Sequence, residues 1–171
     1  MSRTGAWIGA CLLGLVLSGC GHQAPGSSGK SDVPSSPSTT AAPARPTAAA
    51  DESTWGNYLA EQGKRHADGV SQHPYIYVIP RGDGVGATDR RKNELDSIDH
   101  SIGPILMPGG MLILGGPDVQ QTTAFITELS KTAKADALKG IVVLVVTEPS
   151  QTDGVKSALK PTGATVRVAT M

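Results

Sequence analysis

The sequence predicts an α/β domain. The expected form is a small three-layer sandwich around a mostly parallel four-stranded sheet, Rossmann-like in the broad sense, with a helix ahead of the first strand. Two observations predict it. Runs of β-branched and apolar residues alternate with stretches of helical periodicity, in the order α-β-α-β-α-β-α-β, the pattern of a layered sheet with helical crossovers. The two middle runs, Met111-Leu112-Ile113-Leu114 and Ile141-Val142-Val143-Leu144-Val145-Val146, hold no polar residue, as expected of strands covered on both faces. Right-handed crossovers then make most neighbours parallel.

The elements follow in order. Trp55, Tyr58 and Leu59 lie at helical spacing, and Gln62, His66 and Val70 continue the face, so a helix over 53–68 is expected to end at Gly69. Tyr75-Ile76-Tyr77-Val78-Ile79 is β-branched and aromatic, and Pro80 stops it, as a strand. Residues 81–87 read as a glycine-rich loop. Leu95, Ile98 and Ile102 suggest a second helix with Thr88 or Asp89 as N-cap. The prolines and glycines of 81–110 leave a long loop as the other reading. After the strand at 111–114, Pro117 and Asp118 open what reads as the longest helix. Asp118 and Gln121 are spaced as a capping box, and Phe125, Ile126, Leu129, Ala133 and Ala137 form the apolar face. The all-apolar run at 141–146 should be a central strand. A short helix carrying Val155, Ala158 and Leu159 follows, and 164–169 alternates as an edge strand does.

Ahead of this domain, assigned to 51–171, the composition changes. Between Gly21 and Ala50 the chain is mostly Ser, Pro, Thr, Ala and Gly, with one Val and no Leu, Ile, Phe, Tyr or Trp. Such a segment cannot bury enough apolar surface to offset its ordering entropy, so residues 20–50 are expected to be a disordered tether. Its reach is about 30 Å as a coil and roughly 90–100 Å stretched.

The first nineteen residues have the plan of an export signal: Arg3, then an apolar stretch from Gly5 to Leu17 that is too short to span a bilayer, which takes about 20 residues. It ends in Leu17-Ser18-Gly19-Cys20. These four positions resemble the lipobox of bacterial lipoproteins. The resemblance implies cleavage after Gly19, with a signal peptide at 1–19, and lipidation of Cys20, whose small preceding residues let a lipid transferase reach the thiol. Cys11 would leave with the signal and Cys20 would become a thioether, so the mature chain would have no free thiol and no disulfide. Two or three acyl chains make a durable membrane anchor where one does not. In a Gram-negative cell, Gly21 rather than Asp after the acylated cysteine implies the periplasmic face of the outer membrane.

Chemistry in an open parallel sheet belongs beyond the carboxyl ends of the strands. Three loops are expected there, and they supply the candidate residues Arg81, Asp83 and Gly84, then Gly115, Gly116 and Asp118, then Thr147 and Glu148. The Gly82-Asp83-Gly84-Val85-Gly86 run follows a strand, as phosphate-cradling loops do, but it matches neither G-x-G-x-x-G nor a P-loop. Asp118 reads as a helix cap before a catalytic acid. Glu148 has no evident carboxylate partner for acid–base work. Asp96, Asp99 and His100 share a helix face, where surface ion pairing is the simpler reading. The sequence holds no H-E-x-x-H and no G-x-S-x-G, and no cofactor is called for.

With twelve Lys/Arg against fourteen Asp/Glu in 51–171, the domain has no basic excess for nucleic acid. The expectation is a lipid-anchored, non-enzymatic protein-interaction module with a partner in the cell envelope, as an accessory subunit or an inhibitor of immunity type. The alternative is a small-ligand or anion-binding domain, or a weak enzyme, working through loops 81–86, 115–118 and 147–150.

Overall fold

The computed structural model describes residues 42–171. The export segment, Cys20 and the tether up to residue 41 lie outside the described residues. The domain has the expected order: α1 (Glu52–Arg65), β1 (Tyr75–Val78), α2 (Val85–Ser101), β2 (Met111–Gly115), α3 (Val119–Thr132), β3 (Val142–Thr147), α4 (Thr152–Leu159) and β4 (Thr165–Thr170). Single 3-10 turns flank α4 at Pro149–Gln151 and Lys160–Thr162.

The four strands form one sheet in the order β1-β2-β3-β4, and every pair is parallel. Strand order therefore never reverses. Crossovers of one hand that always step the same way put their helices on one face. The core divides accordingly. Ile98 of α2, Phe125, Ile126 and Leu129 of α3, and Val155 and Leu159 of α4 pack with Tyr77, Leu112, Leu114, Val143 and Val145. The other face, built from Met111, Ile113, Val142, Leu144, Val146 and Ala169, is met by Trp55, Tyr58 and Leu59 of α1. Side chains alternate between faces along each strand, so both middle strands need apolar residues at every position. That is why neither run contains a polar one.

Several boundaries differ from the sequence reading, each accompanied by a side-chain contact to the backbone. Helix α1 stops at Arg65, four residues short of Gly69, because the Arg167 guanidinium on β4 donates to the carbonyls of His66 and Asp68. Helix α2 begins at Val85 with Gly84 as N-cap, ahead of Thr88 and Asp89. Arg91 holds its first turn to the loop by donating to the carbonyls of Pro80 and Gly82, at 2.9 and 2.8 Å, and to the Thr88 hydroxyl. At 17 residues α2, not α3, is the longest helix, and 81–110 is mostly helix rather than one long loop. Helix α3 ends at Thr132, whose hydroxyl donates to the carbonyls of Glu128 and Leu129. Ala133 is its C-cap and Ala137 lies in the following loop, where Leu138 N–H donates to Thr162 O at 2.9 Å.

Helix α2 is polar nearly all round and buries only Ile98 and Ser101. Charged and phenolic contacts hold the rest of it. Tyr75 donates to Glu94 at 2.7 Å, and Arg90 reaches Glu52 of α1 at 2.8 Å. The Arg90–Glu52 pair thus ties α2 on one face to the start of α1 on the other. Beneath it Tyr77 packs against Phe125 with ring centroids 5.3 Å apart, and its hydroxyl finds no partner among the described residues.

Burial first, and the Glu94 carboxylate after it, push the Tyr75 and Tyr77 phenols up to about 12. An unfolded tyrosine ionises near 10. Stability from these groups is complete below pH 10 and falls as pH rises toward 12, because the unfolded chain releases protons that the native one retains. Urea unfolding at about pH 9 and about pH 11 should show that loss, and a Tyr75→Phe/Tyr77→Phe variant should show a flatter profile. An unchanged profile would mean that burial does not govern these phenols.

Candidate functional site

The carboxyl ends of the strands carry an open cavity of about 540 Å³. Its wall includes Arg81 after β1, Asp118 before α3, and Glu148 after β3, so one residue from each expected loop reaches the same space. Asp83 lies beside this group, accepting from the Gln121 side chain at 2.5 Å. Gly84, Gly115, Gly116 and Thr147 do not line the cavity. Thr147 is fully buried, and its hydroxyl has no partner among the described residues.

Apart from Pro117, the rest of the wall comes from residues outside the three loops, notably Arg45, Ala48, Gln120 and Gln151. Arg45 and Ala48 belong to the segment before α1. Arg45 pairs with Glu148 at 3.1 Å, Arg81 donates to Ala48 O at 2.9 Å, and the Trp55 indole donates to Thr47 O at 3.2 Å. A turn closed by Ala50 N–H on Thr47 O, 3.0 Å, then leads to Asp51, which caps α1 by accepting from Thr54 N–H at 2.7 Å. The ordered domain thus starts before Asp51, and 45–50 lies across the strand ends. One signal pointed to this: Arg45 is the only charged residue between Asp32 and Asp51.

The charged groups in the site already have work. Asp118 accepts from Gln120 N–H at 2.9 Å and Gln121 N–H at 3.1 Å, so it occupies amides of the α3 N-terminus that would otherwise face an anion. Gln121 turns away to Asp83 rather than back to the cap, so only half of the capping box forms. Two guanidinium groups, Arg45 and Arg81, stand with two carboxylates, Asp118 and Glu148, which leaves no net charge to attract an anion.

The glycines serve packing. A Cβ on Gly116 would run into the carbonyl oxygen of Ile79, and one on Gly115 would stand 2.8 Å from Leu59 and 3.0 Å from Val146. Gly115-Gly116 is therefore where α1 and the end of β1 close on the backbone of β2. Gly84 and Gly86 have open space around them. Away from this edge, Asp96 pairs with Lys92 at 3.4 Å. Among the described residues no three His, Cys, Asp or Glu side chains are grouped to hold a metal ion.

No protein-family model, curated protein or solved structure matches this chain. Function therefore rests on the geometry of the strand ends and on the residues of the leader.

Two sets of variants check the roles of these groups. Gly116→Ala should lower stability by about 1–3 kcal/mol through overpacking, whereas Gly86→Ala, in the first turn of α2, should raise it by about 0.4–1 kcal/mol. Asp118→Ala should cost about 1 kcal/mol as a lost cap. Thermal unfolding measures all three. A neutral Gly116→Ala, or an Asp118→Ala loss far above that of a cap, would contradict these structural roles.

Proposed function

We propose that this chain is a membrane-anchored bacterial lipoprotein whose α/β domain is a non-enzymatic protein-interaction module of the cell envelope, an accessory subunit or an inhibitor of immunity type. The anchor part of the proposal rests on Leu17-Ser18-Gly19-Cys20 and the apolar stretch before it. The observation that supports the module part is the occupied strand-end edge. Its carboxylates serve as cap and ion-pair partner, and the chain's own segment 45–50 lies across it. The unreversed strand order also forms no switch-point crevice, where open α/β sheets take ligands.

The best-presented apolar contact surface is at the opposite end of the sheet. Ile105 and Met107, 63% and 41% exposed, flank the buried Leu106 in the loop between α2 and β2. That loop is fixed by Leu106 N–H on Ser101 O at 2.8 Å and Gly110 N–H on Met107 O at 2.8 Å. A loop held by its own hydrogen bonds has less freedom to lose on docking than an open one, so Ile105 and Met107 are the side chains assigned to the partner. The second reading, a small polar ligand at the strand ends, is favoured by the cavity of about 540 Å³ and requires the Arg45–Glu148 pair to open.

Crosslinking and affinity recovery from intact cells tests the proposal, with wild type beside Cys20→Ala and Ile105→Asp/Met107→Asp. The expected result is one envelope protein recovered in near-equal amount with wild type and reduced at least about tenfold by the double loop variant, a loss near 1.4 kcal/mol or more. Cys20→Ala should leave the membrane fraction. Equal recovery by the loop variant would refute the assigned surface. No specific partner from cells holding folded protein would refute the module and leave the small-ligand reading.

A further inference from the structure

We infer that β4 is a self-pairing edge: two copies of this chain join β4 to β4, antiparallel, about a two-fold axis at Val168. The inference is independent of the proposed envelope partner and uses a different surface.

The ladder to β3 shows which groups are left over. Thr165 N–H donates to Ile141 O at 2.9 Å, and Met171 N–H to Thr147 O at 3.2 Å. By the two-residue period of a strand, positions 165, 167, 169 and 171 turn their N–H and C=O toward β3. Those of Val166, Val168 and Thr170 point away, and among the described residues β4 has no strand neighbour on that side.

The two edges of this sheet are treated differently. The edge of β1 is only four residues long. Short edge strands limit unwanted pairing. The β4 edge is six residues long, without proline, and its register to β3 runs unbroken from Thr165 to Thr170, so no bulge twists it away. Its one charged residue, Arg167, is held against the carbonyls of His66 and Asp68 on the α1 side. Val166 and Val168 remain partly exposed beside α4. An edge without bulge, proline or outward charge is a template for another strand.

The sequence of β4 suits a second copy. Antiparallel pairing centred on Val168 sets Val168 opposite Val168 and Val166 opposite Thr170. These are the three residues with outward N–H and C=O, so every such group on both strands finds a partner. On the other face Arg167 falls opposite Ala169 and Thr165 opposite Met171, so no charge meets its own kind. An isologous two-fold contact requires this self-complementarity. The domain's twelve cationic and fourteen acidic residues leave little net charge to oppose association.

Amide exchange of the full-length chain, in mild detergent with micelles in excess, tests this over a dilution series. Val168 and Thr170 amides should exchange at least about tenfold more slowly at the concentrated end. Val168→Pro removes an outward donor, which edge strands tolerate, so in this variant the Thr170 amide should exchange fast at every dilution. Wild-type rates that do not change with dilution overturn the inference. Fast rates throughout mean an open edge, and slow rates throughout mean cover from within one chain. If Val168→Pro does not fold, the wild-type series alone decides.

Discussion

The direction in which the sheet is built governs the rest of this domain. Each parallel crossover steps to the next strand on the same side, so α2, α3 and α4 all fall on one face. A sheet of buried parallel strands needs both faces covered. The second face therefore depends on a helix from outside the crossover series, and α1 is that helix among the described residues. Its apolar side chains lie over the centre of the sheet, and Gly63 lets it sit so close that a Cβ there would run into the Ile113 side chain.

From that constraint follows the state of the strand ends. A helix reaching the second face from ahead of β1 brings its own leader across the carboxyl edge, where Thr47, Ala48 and Arg45 meet Trp55, Arg81 and Glu148. The same unreversed order leaves no crevice between outward-splaying crossovers, which is where doubly wound sheets hold ligands. An exposed pair such as Arg45–Glu148 contributes only up to about 1 kcal/mol. The leader is thus held by several weak contacts rather than by one strong one.

Much of the fold could be read in the residues, because strands buried on both faces announce themselves as unbroken apolar runs and Asp118 announces a cap. All four strands fall within a residue or so of the expected positions. Helix ends were less legible, since side-chain contacts with no periodic signal set them: Arg167, on β4, ends α1, and Arg91 ties the start of α2 to the preceding loop. The amphipathic signal of α2 was weak for a physical reason, as it is fastened by Tyr75, Glu52 and loop carbonyls rather than by an apolar stripe. At the strand ends, Arg81, Asp118 and Glu148 were legible as neighbours because parallel strands bring their exits together. Gly115 and Gly116 were candidates for their place in a strand-to-helix turn at the carboxyl edge, whereas the neighbours they admit are Leu59, Val146 and Ile79. Arg45 was hidden in a run whose composition resembles a free tether, and only its isolated charge marked it.

If the second face depends on α1, that helix is integral to the sheet rather than an appendage. Native-state hydrogen exchange tests this most directly. Amides in the middle of α1, around Tyr58 and Leu59, should open with the same free energy as those of Ile113 and Leu144, to within about 1 kcal/mol, as one cooperative unit. Opening of α1 at a much lower free energy, with the sheet still protected, would contradict it.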